Sequence, residues 1–111
     1  MDKNLKISLL IEFYGNNLTT KQCEIIKKYY DQNQTLKEIS QEFNVTRQAV
    51  SDILRRTVQS LNKLENNFKL LERYLEAQNL VDTLIKRVEN DQIKKAELIE
   101  GIKQILNTIV P

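Results

Sequence analysis

The chain has 111 residues, of which 41% are apolar and 29% charged, a composition typical of one soluble globular domain rather than a disordered segment. With one cysteine and no histidine it lacks an internal disulfide and the commonest general acid–base and metal ligand, so we expect a cytoplasmic protein that is not an enzyme and binds no metal or cofactor. The net charge of +2 does not by itself indicate nucleic-acid binding, and the apolar run 9–11 is too short for membrane insertion.

Caps and turns divide a chain that has only two glycines and one proline, and we predict an all-α fold. Capping boxes, which open helices, occur at Thr19–Gln22 and Thr35–Glu38. Glycine and asparagine at 15–17 end the first helix because both tolerate left-handed backbone. The predicted helices are 3–14, about 19–32, 36–43 and a fourth that begins at Arg47 behind the cap Thr46.

The fourth helix is predicted to be long, because apolar residues continue along it three and four positions apart in a coiled-coil-like seam. Later helices are predicted to begin near Asn79 and after a break at 90–91. Residues 1–60 therefore form a compact unit and 61–111 a long helical tail. A lone helix would leave the seam exposed, so we expect the tail to fold back and the remaining surface to pair two protomers in a homodimer. The seam residues are Leu61, Leu64, Phe68, Leu71 and Leu75.

Residues 36–56 fulfil the requirements of a helix-turn-helix, in which two short helices cross steeply at a tight turn. Ser40 is small enough for the crossing, and Asn44 tolerates the left-handed conformation of the turn. The apolar residues expected to face inward are Ile39, Phe43, Val45, Val50 and Ile53. The alternative is an ordinary helical hairpin within a bundle, with a solvated polar face.

The polar face of the second of these helices is the predicted nucleic-acid-binding surface. Arginine and glutamine can read guanine and adenine, and the starts of the two helices offer amides to phosphate. Asp52 opposes this interpretation, because phosphates repel a carboxylate unless it pairs with an arginine or reads cytosine. The predicted site residues are Thr35, Thr46, Arg47, Gln48, Ser51, Arg55 and Arg56.

Charge favours the compact unit as the binding part. Residues 1–60 carry nine basic and seven acidic side chains, whereas residues 61–111 carry eight of each. The whole positive surplus lies with the predicted helix-turn-helix.

Two resemblances strengthen this prediction. TLKEISQEFNVTRQAV resembles the helix-turn-helix of sigma-factor region 4. The ordered segments IEFYGNNLTTKQ, YYDQNQTLKEI and VTRQAVSDILRRT resemble the YlxM-type family of small bacterial helix-turn-helix proteins, over about residues 9–75. That family usually has serine where this chain has Thr46 and alanine where it has Ser40, and it more often has an aromatic residue at Ser51; these departures leave the fold intact but blur any base preference.

The YlxM resemblance implies a DNA-binding regulatory protein acting in the signal recognition particle pathway, because members are encoded beside genes of that particle. Two alternatives stay open: an adaptor that binds signal recognition particle components through its tail, and a sigma-like module that contacts RNA polymerase. The sequence does not separate DNA from RNA as the ligand. Tyr14, Tyr29 and Tyr30 offer a weaker alternative, a stacking platform for single-stranded RNA.

Overall fold

The computed structural model describes residues 1–109, which form six α-helices and no strand. A single 3-10 turn, Gly15–Asn17, lies between the first two helices. The helices are α1 (Lys3–Tyr14), α2 (Thr20–Tyr30), α3 (Leu36–Phe43), α4 (Arg47–Phe68), α5 (Leu70–Glu89) and α6 (Lys95–Ile109). The all-α prediction is confirmed.

The predicted caps are present as hydrogen bonds. The hydroxyls of Thr19 and Thr35 each accept from the backbone N–H three residues on, at 3.1 Å, and the backbone N–H of each threonine donates in return to the side-chain oxygen of Gln22 or Glu38. The Thr46 hydroxyl accepts from the Ala49 N–H at 3.0 Å. These bonds satisfy amides that the first turn of a helix otherwise leaves without partners, which is why the starts of α2, α3 and α4 were predictable.

The turn after α1 differs from its predicted form. Gly15 has φ −55°, a right-handed value, and the chain continues into the 3-10 turn, from which the Leu18 N–H donates to the Gly15 carbonyl at 3.1 Å. Left-handed backbone therefore has no part in ending this helix.

The fourth helix begins at Arg47 and is long, as predicted, but it ends at Phe68 and does not continue through Leu75. Lys69 has φ 57°, and this left-handed residue separates α4 from α5 although nothing in its side-chain type signals a break. The seam is consequently divided between two helices. Asn79 lies inside α5 and caps nothing, whereas the break at 90–91 is confirmed, with Asp91 at φ 51°.

The chain consists of two compact units, residues 1–68 and 69–111, so the boundary follows residue 68 rather than residue 60. The break at Lys69 accounts for this position, because α4 remains continuous to Phe68. The last turns of α4 thus belong to the first unit rather than to the tail.

In the first unit, α4 packs against each of α1, α2 and α3. The side chains at the centre of this core are fully buried: Leu10, Ile25, Ile26, Ile39, Val50, Thr57 and Leu61. Thr57 was not expected there; its hydroxyl donates to the Ile53 carbonyl at 2.7 Å, which satisfies the polar group and leaves the methyl to pack. Ile53, expected inside, is only partly buried.

Polar contacts among the described residues also join the helices of this unit; the Ser8 hydroxyl, for example, donates to Asp31 Oδ1 at the end of α2 at 2.5 Å. Tyr14 is 1% exposed, and its hydroxyl donates to Glu65 Oε1 at 2.6 Å, which fixes α1 against the end of α4. The Lys28 ammonium lies 2.9 Å from the Glu42 carboxylate and links α2 to α3. These contacts set helix orientation in addition to the apolar packing.

The second unit is a helical hairpin in which α5 packs against α6. Gly101 permits a close approach, since a Cβ at that position would lie 2.5 Å from Leu84 Cδ2. Near the turn, the Arg87 guanidinium contacts the Glu97 carboxylate and also donates to the Gln92 carbonyl at 3.3 Å.

We predict that Ser40→Leu destabilises the protein. Ser40 is 6% exposed on the α3 face that packs against its neighbours, and its hydroxyl donates to the Lys37 carbonyl at 2.7 Å. A leucine there overpacks the crossing at a cost of about 1–3 kcal/mol in the free energy of unfolding. Denaturant melts followed by circular dichroism measure it. Gln41→Leu, one position along on the exposed side, is the matched control and should melt like the parent; equal melts for both variants would contradict the crossing.

Candidate nucleic-acid interface

The turn between α3 and α4 has the geometry of a tight helix-turn-helix. Asn44 adopts φ 54° and ψ 48°, and its N–H donates to the Gln41 carbonyl at 3.4 Å. The Val45 N–H then donates to the Ser40 carbonyl at 3.0 Å, so the chain reverses within a few residues. The conformation expected of Asn44 is confirmed.

The two sides of α4 differ in polarity. Val50 and Leu54 are buried among the helices of the first unit. The polar side chains on the turns before Val50 and after Leu54 are exposed: Arg47, Gln48, Arg55 and Arg56. Because the buried side fixes the helix, the outward residues are held on a rigid support that a large ligand could contact.

All seven predicted site residues lie on α4 or at the starts of α3 and α4. Thr35 and Thr46 are exposed caps, and Ser51 is partly buried. Thr46, Arg47, Gln48 and Ser51 share the amino-terminal end of α4, whereas Arg55 and Arg56 lie one to two turns further along.

Asp52, which was not predicted as a site residue, links two residues that were. Gln48 Nε2 donates to Asp52 Oδ1 at 3.2 Å, and the Arg55 guanidinium lies 3.6 Å from the same oxygen. The one carboxylate on this face therefore pairs with an arginine, as its compatibility with a nucleic-acid surface requires. The spacings of three and four residues carry the signal for these contacts in the sequence.

Arg56 differs from Arg55 in its contacts. Its Nε donates to the Asp52 carbonyl at 3.4 Å, a backbone contact that leaves its charge uncompensated. Arg47 and Arg56 are thus the guanidinium groups on this surface without an ion pair among the described contacts, whereas Arg55 shares its charge with Asp52.

The alternative tyrosine platform loses one of its three members, because Tyr14 is in the core. Tyr29 and Tyr30 pack edge to face with ring centroids 5.0 Å apart. Burial raises the pKa of the Tyr30 phenol, and the nearby Tyr29 raises it further by a smaller amount. Their mutual packing leaves less ring surface for stacked bases.

Within residues 1–109 no three His, Cys, Asp or Glu side chains come together as a metal site, and no helix is both long and apolar enough to cross a membrane. Cys23 is partly buried on α2 as a free thiol.

Comparison with known proteins identifies the family. A family model described as "Putative helix-turn-helix protein, YlxM / p13 like" matches residues 1–105, so the relationship extends well beyond residue 75, where the sequence resemblance ended. A UPF0122 protein of Lactococcus lactis subsp. cremoris is 37% identical over 105 residues, which cover 95% of this chain and 94% of the relative. One from Shouchella clausii is 36% identical over 107 residues, covering 95% and 98%. One from Lacticaseibacillus casei is 44% identical over 85 residues, covering 77% and 75%. The resemblance to YlxM-type proteins is thereby confirmed, and the chain belongs to the UPF0122 family of YlxM- and p13-like helix-turn-helix proteins.

Proposed function

We propose that this protein is a non-enzymatic, cytoplasmic regulator that binds duplex DNA through α4. The observation that carries the proposal is the division of α4 into a buried apolar side and an exposed polar side at the end where the helix-turn-helix turn delivers it. Helices presented in this way enter the major groove with their amino-terminal residues toward the bases.

Each site residue has a role that matches its chemistry. Arg47 and Gln48 would read base edges, since arginine forms bidentate contacts with guanine and glutamine with adenine. The Ser51 hydroxyl, one turn along, would supplement these contacts. Arg55 and Arg56, further from the helix start, would hold the phosphate backbone.

Thr35 and Thr46 mark two further phosphate contacts. Each threonine hydroxyl caps one amide of the first turn and leaves the others without a partner within the helix, and the helix dipole favours an anion there. Contacts of this kind set the register of a protein on DNA without reading sequence.

We further propose that the regulator acts in the signal recognition particle pathway and works as a homodimer. The first part is supported by the YlxM resemblance. The second is supported by the modest charge of one protomer, because a two-fold dimer doubles the phosphate contacts and reads half-sites about 34 Å apart.

An adaptor for signal recognition particle components is the second candidate function, favoured by the apolar side chains that α5 and α6 leave exposed. Copurification of particle components with tagged protein, for the parent and for an arginine-substituted variant, separates the two. An adaptor retains its partners when Arg47 and Arg55 are replaced. A sigma-like module, the remaining alternative, would instead retain RNA polymerase.

We predict that Arg47→Ala combined with Arg55→Ala weakens DNA binding at least about tenfold at low salt and leaves the melt unchanged. Both side chains are exposed, so their loss removes contacts with the ligand rather than with the core. The dependence of log K on log salt should also flatten by about one unit for each lost phosphate contact. Fluorescence anisotropy with a randomised duplex measures both quantities.

The matched control is Lys6→Ala combined with Lys21→Ala, which removes the same charge from exposed positions on α1 and α2. This variant should lose clearly less affinity. Parent protein without affinity for a duplex or single-stranded library at low salt would refute the binding proposal, and equal losses in both double variants would show non-specific attraction only.

We predict that Asp52→Ala strengthens binding to randomised duplex by about fivefold. Removing a carboxylate close to phosphates relieves roughly 1 kcal/mol of repulsion in water and frees Arg55 from its ion pair. Selectivity between duplexes should fall, because Gln48 also loses its fixed partner. Glu24→Ala on α2 is the control for net charge and should leave affinity nearly unchanged. Weaker binding by Asp52→Ala would instead indicate that the carboxylate accepts from cytosine.

A further inference from the structure

The α5–α6 hairpin leaves a broad apolar face in contact with solvent. Ile85 on α5 is 49% exposed, and Ile102 and Leu106 on α6 are 55% and 62% exposed. Single exposed apolar residues are common on soluble proteins, but a contiguous set on two neighbouring helices marks an interaction surface.

This face lies beside the contact that closes the hairpin, and Leu84 belongs to both. The hairpin closes where Leu84 meets Gly101. The exposed residues instead border an open groove of about 300 Å³ between the two helices, with Val81, Ile85 and Val88 on one side and Ile102 and Ile105 on the other. Glu89 is the single charged side chain at its margin. We call the following residues the hairpin face: Val81, Ile85 and Val88 on α5, and Ile99, Ile102, Ile105, Leu106 and Ile109 on α6.

The exposed residues recur at the spacing of helices that pair with other helices. On α6 they are Ile99, Ile102, Leu106 and Ile109, at intervals of three, four and three. On α5, Val81, Ile85 and Val88 recur at four and three. Two such stripes beside one groove provide both ridges and a recess, so the surface can pack against an identical one.

Charge also favours a copy of the same hairpin over a charged partner. Residues 69–111 contain seven Lys or Arg and seven Asp or Glu, a net charge of zero, so two hairpins approach without net repulsion. A nucleic acid or a strongly acidic or basic protein gains no long-range attraction to this unit.

The size of the hairpin face suits a dimer. Fifteen helical residues of α6 extend about 22 Å, and two adjacent helices are about 20 Å wide. The planar area is therefore on the order of 450 Å², and the relief of the side chains raises it toward the roughly 800 Å² that each partner of a standard interface buries.

We propose that the hairpin face is the dimerisation surface of this protein and that its occupant is the same face of a second copy. The two hairpins form a four-helix bundle about a two-fold axis, with Ile85 and Ile102 near its centre. This inference rests on the homodimer of the proposed function, and it assigns the interface to α5 and α6 instead of the predicted seam that includes Leu61 and Phe68.

Sedimentation velocity of the full chain over a micromolar concentration series tests the proposal. Ile102→Glu places a carboxylate in the interface of both protomers, and we expect the dimer dissociation constant to rise at least about 30-fold. Ile85→Glu tests the other helix. Leu5→Glu is the matched control, because Leu5 is 52% exposed on α1 and undergoes the same chemical change. Circular dichroism verifies that each variant is folded, as substitutions at exposed positions permit.

Dimeric parent and Leu5→Glu protein, with a weakened dimer in either folded hairpin variant, support the proposal. A parent that stays monomeric across the series overturns it. A dimer that persists in both hairpin variants also overturns it and locates the interface elsewhere. The DNA-binding proposal fails separately, since a parent that dimerises but binds no duplex refutes that proposal alone.

Discussion

The packing of α4 against three other helices is the constraint on which the first unit depends. Its buried side, from Val50 to Leu61, closes a core to which α1, α2 and α3 all contribute. A helix held along one whole side cannot rotate, and its opposite side must remain in water. The candidate site therefore follows from the core: Arg47 and Gln48 are exposed because burial of Val50 and Leu54 turns the other side of α4 to solvent.

The positive charge of the candidate site is moderate, because one of its arginines is paired with a carboxylate. Asp52 accepts from Gln48 and pairs with Arg55, so part of the positive charge on α4 is compensated within the helix. Compensation of this kind lowers attraction to phosphates in general and leaves geometry to decide which ligand fits. The net charge is modest in the first unit and zero in the second, so the proposed DNA binding would depend on the proposed pairing of protomers more than on one strongly basic surface.

The two units differ in how fully they bury their apolar side chains. In the first unit the large apolar side chains form a common core. The Tyr14–Glu65 hydrogen bond and the Lys28–Glu42 ion pair also link the helices around it. The second unit is a two-helix hairpin, and two helices have too few neighbours to cover all their apolar residues. Ile102 and Leu106 thus remain exposed, whereas a bundle with more helices would bury them. Association with a further helical layer is the general physical solution to such a surface.

The sequence by itself predicted the features that depend on residues only a few positions apart. Thr19, Thr35 and Thr46 predicted the starts of α2, α3 and α4, because a cap bonds within the first turn of its helix. Asn44 predicted the left-handed turn, because it tolerates a positive φ. The family resemblance could also be predicted from the sequence, because its motifs include these same caps and this turn. Only the tertiary structure decided the break at Lys69, a residue type that no turn requires, and the burial of Thr57, whose hydroxyl bonds within its own helix. It also decided which apolar stripe stays exposed, because periodicity marks every apolar side of a helix alike and only packing selects the one that is covered.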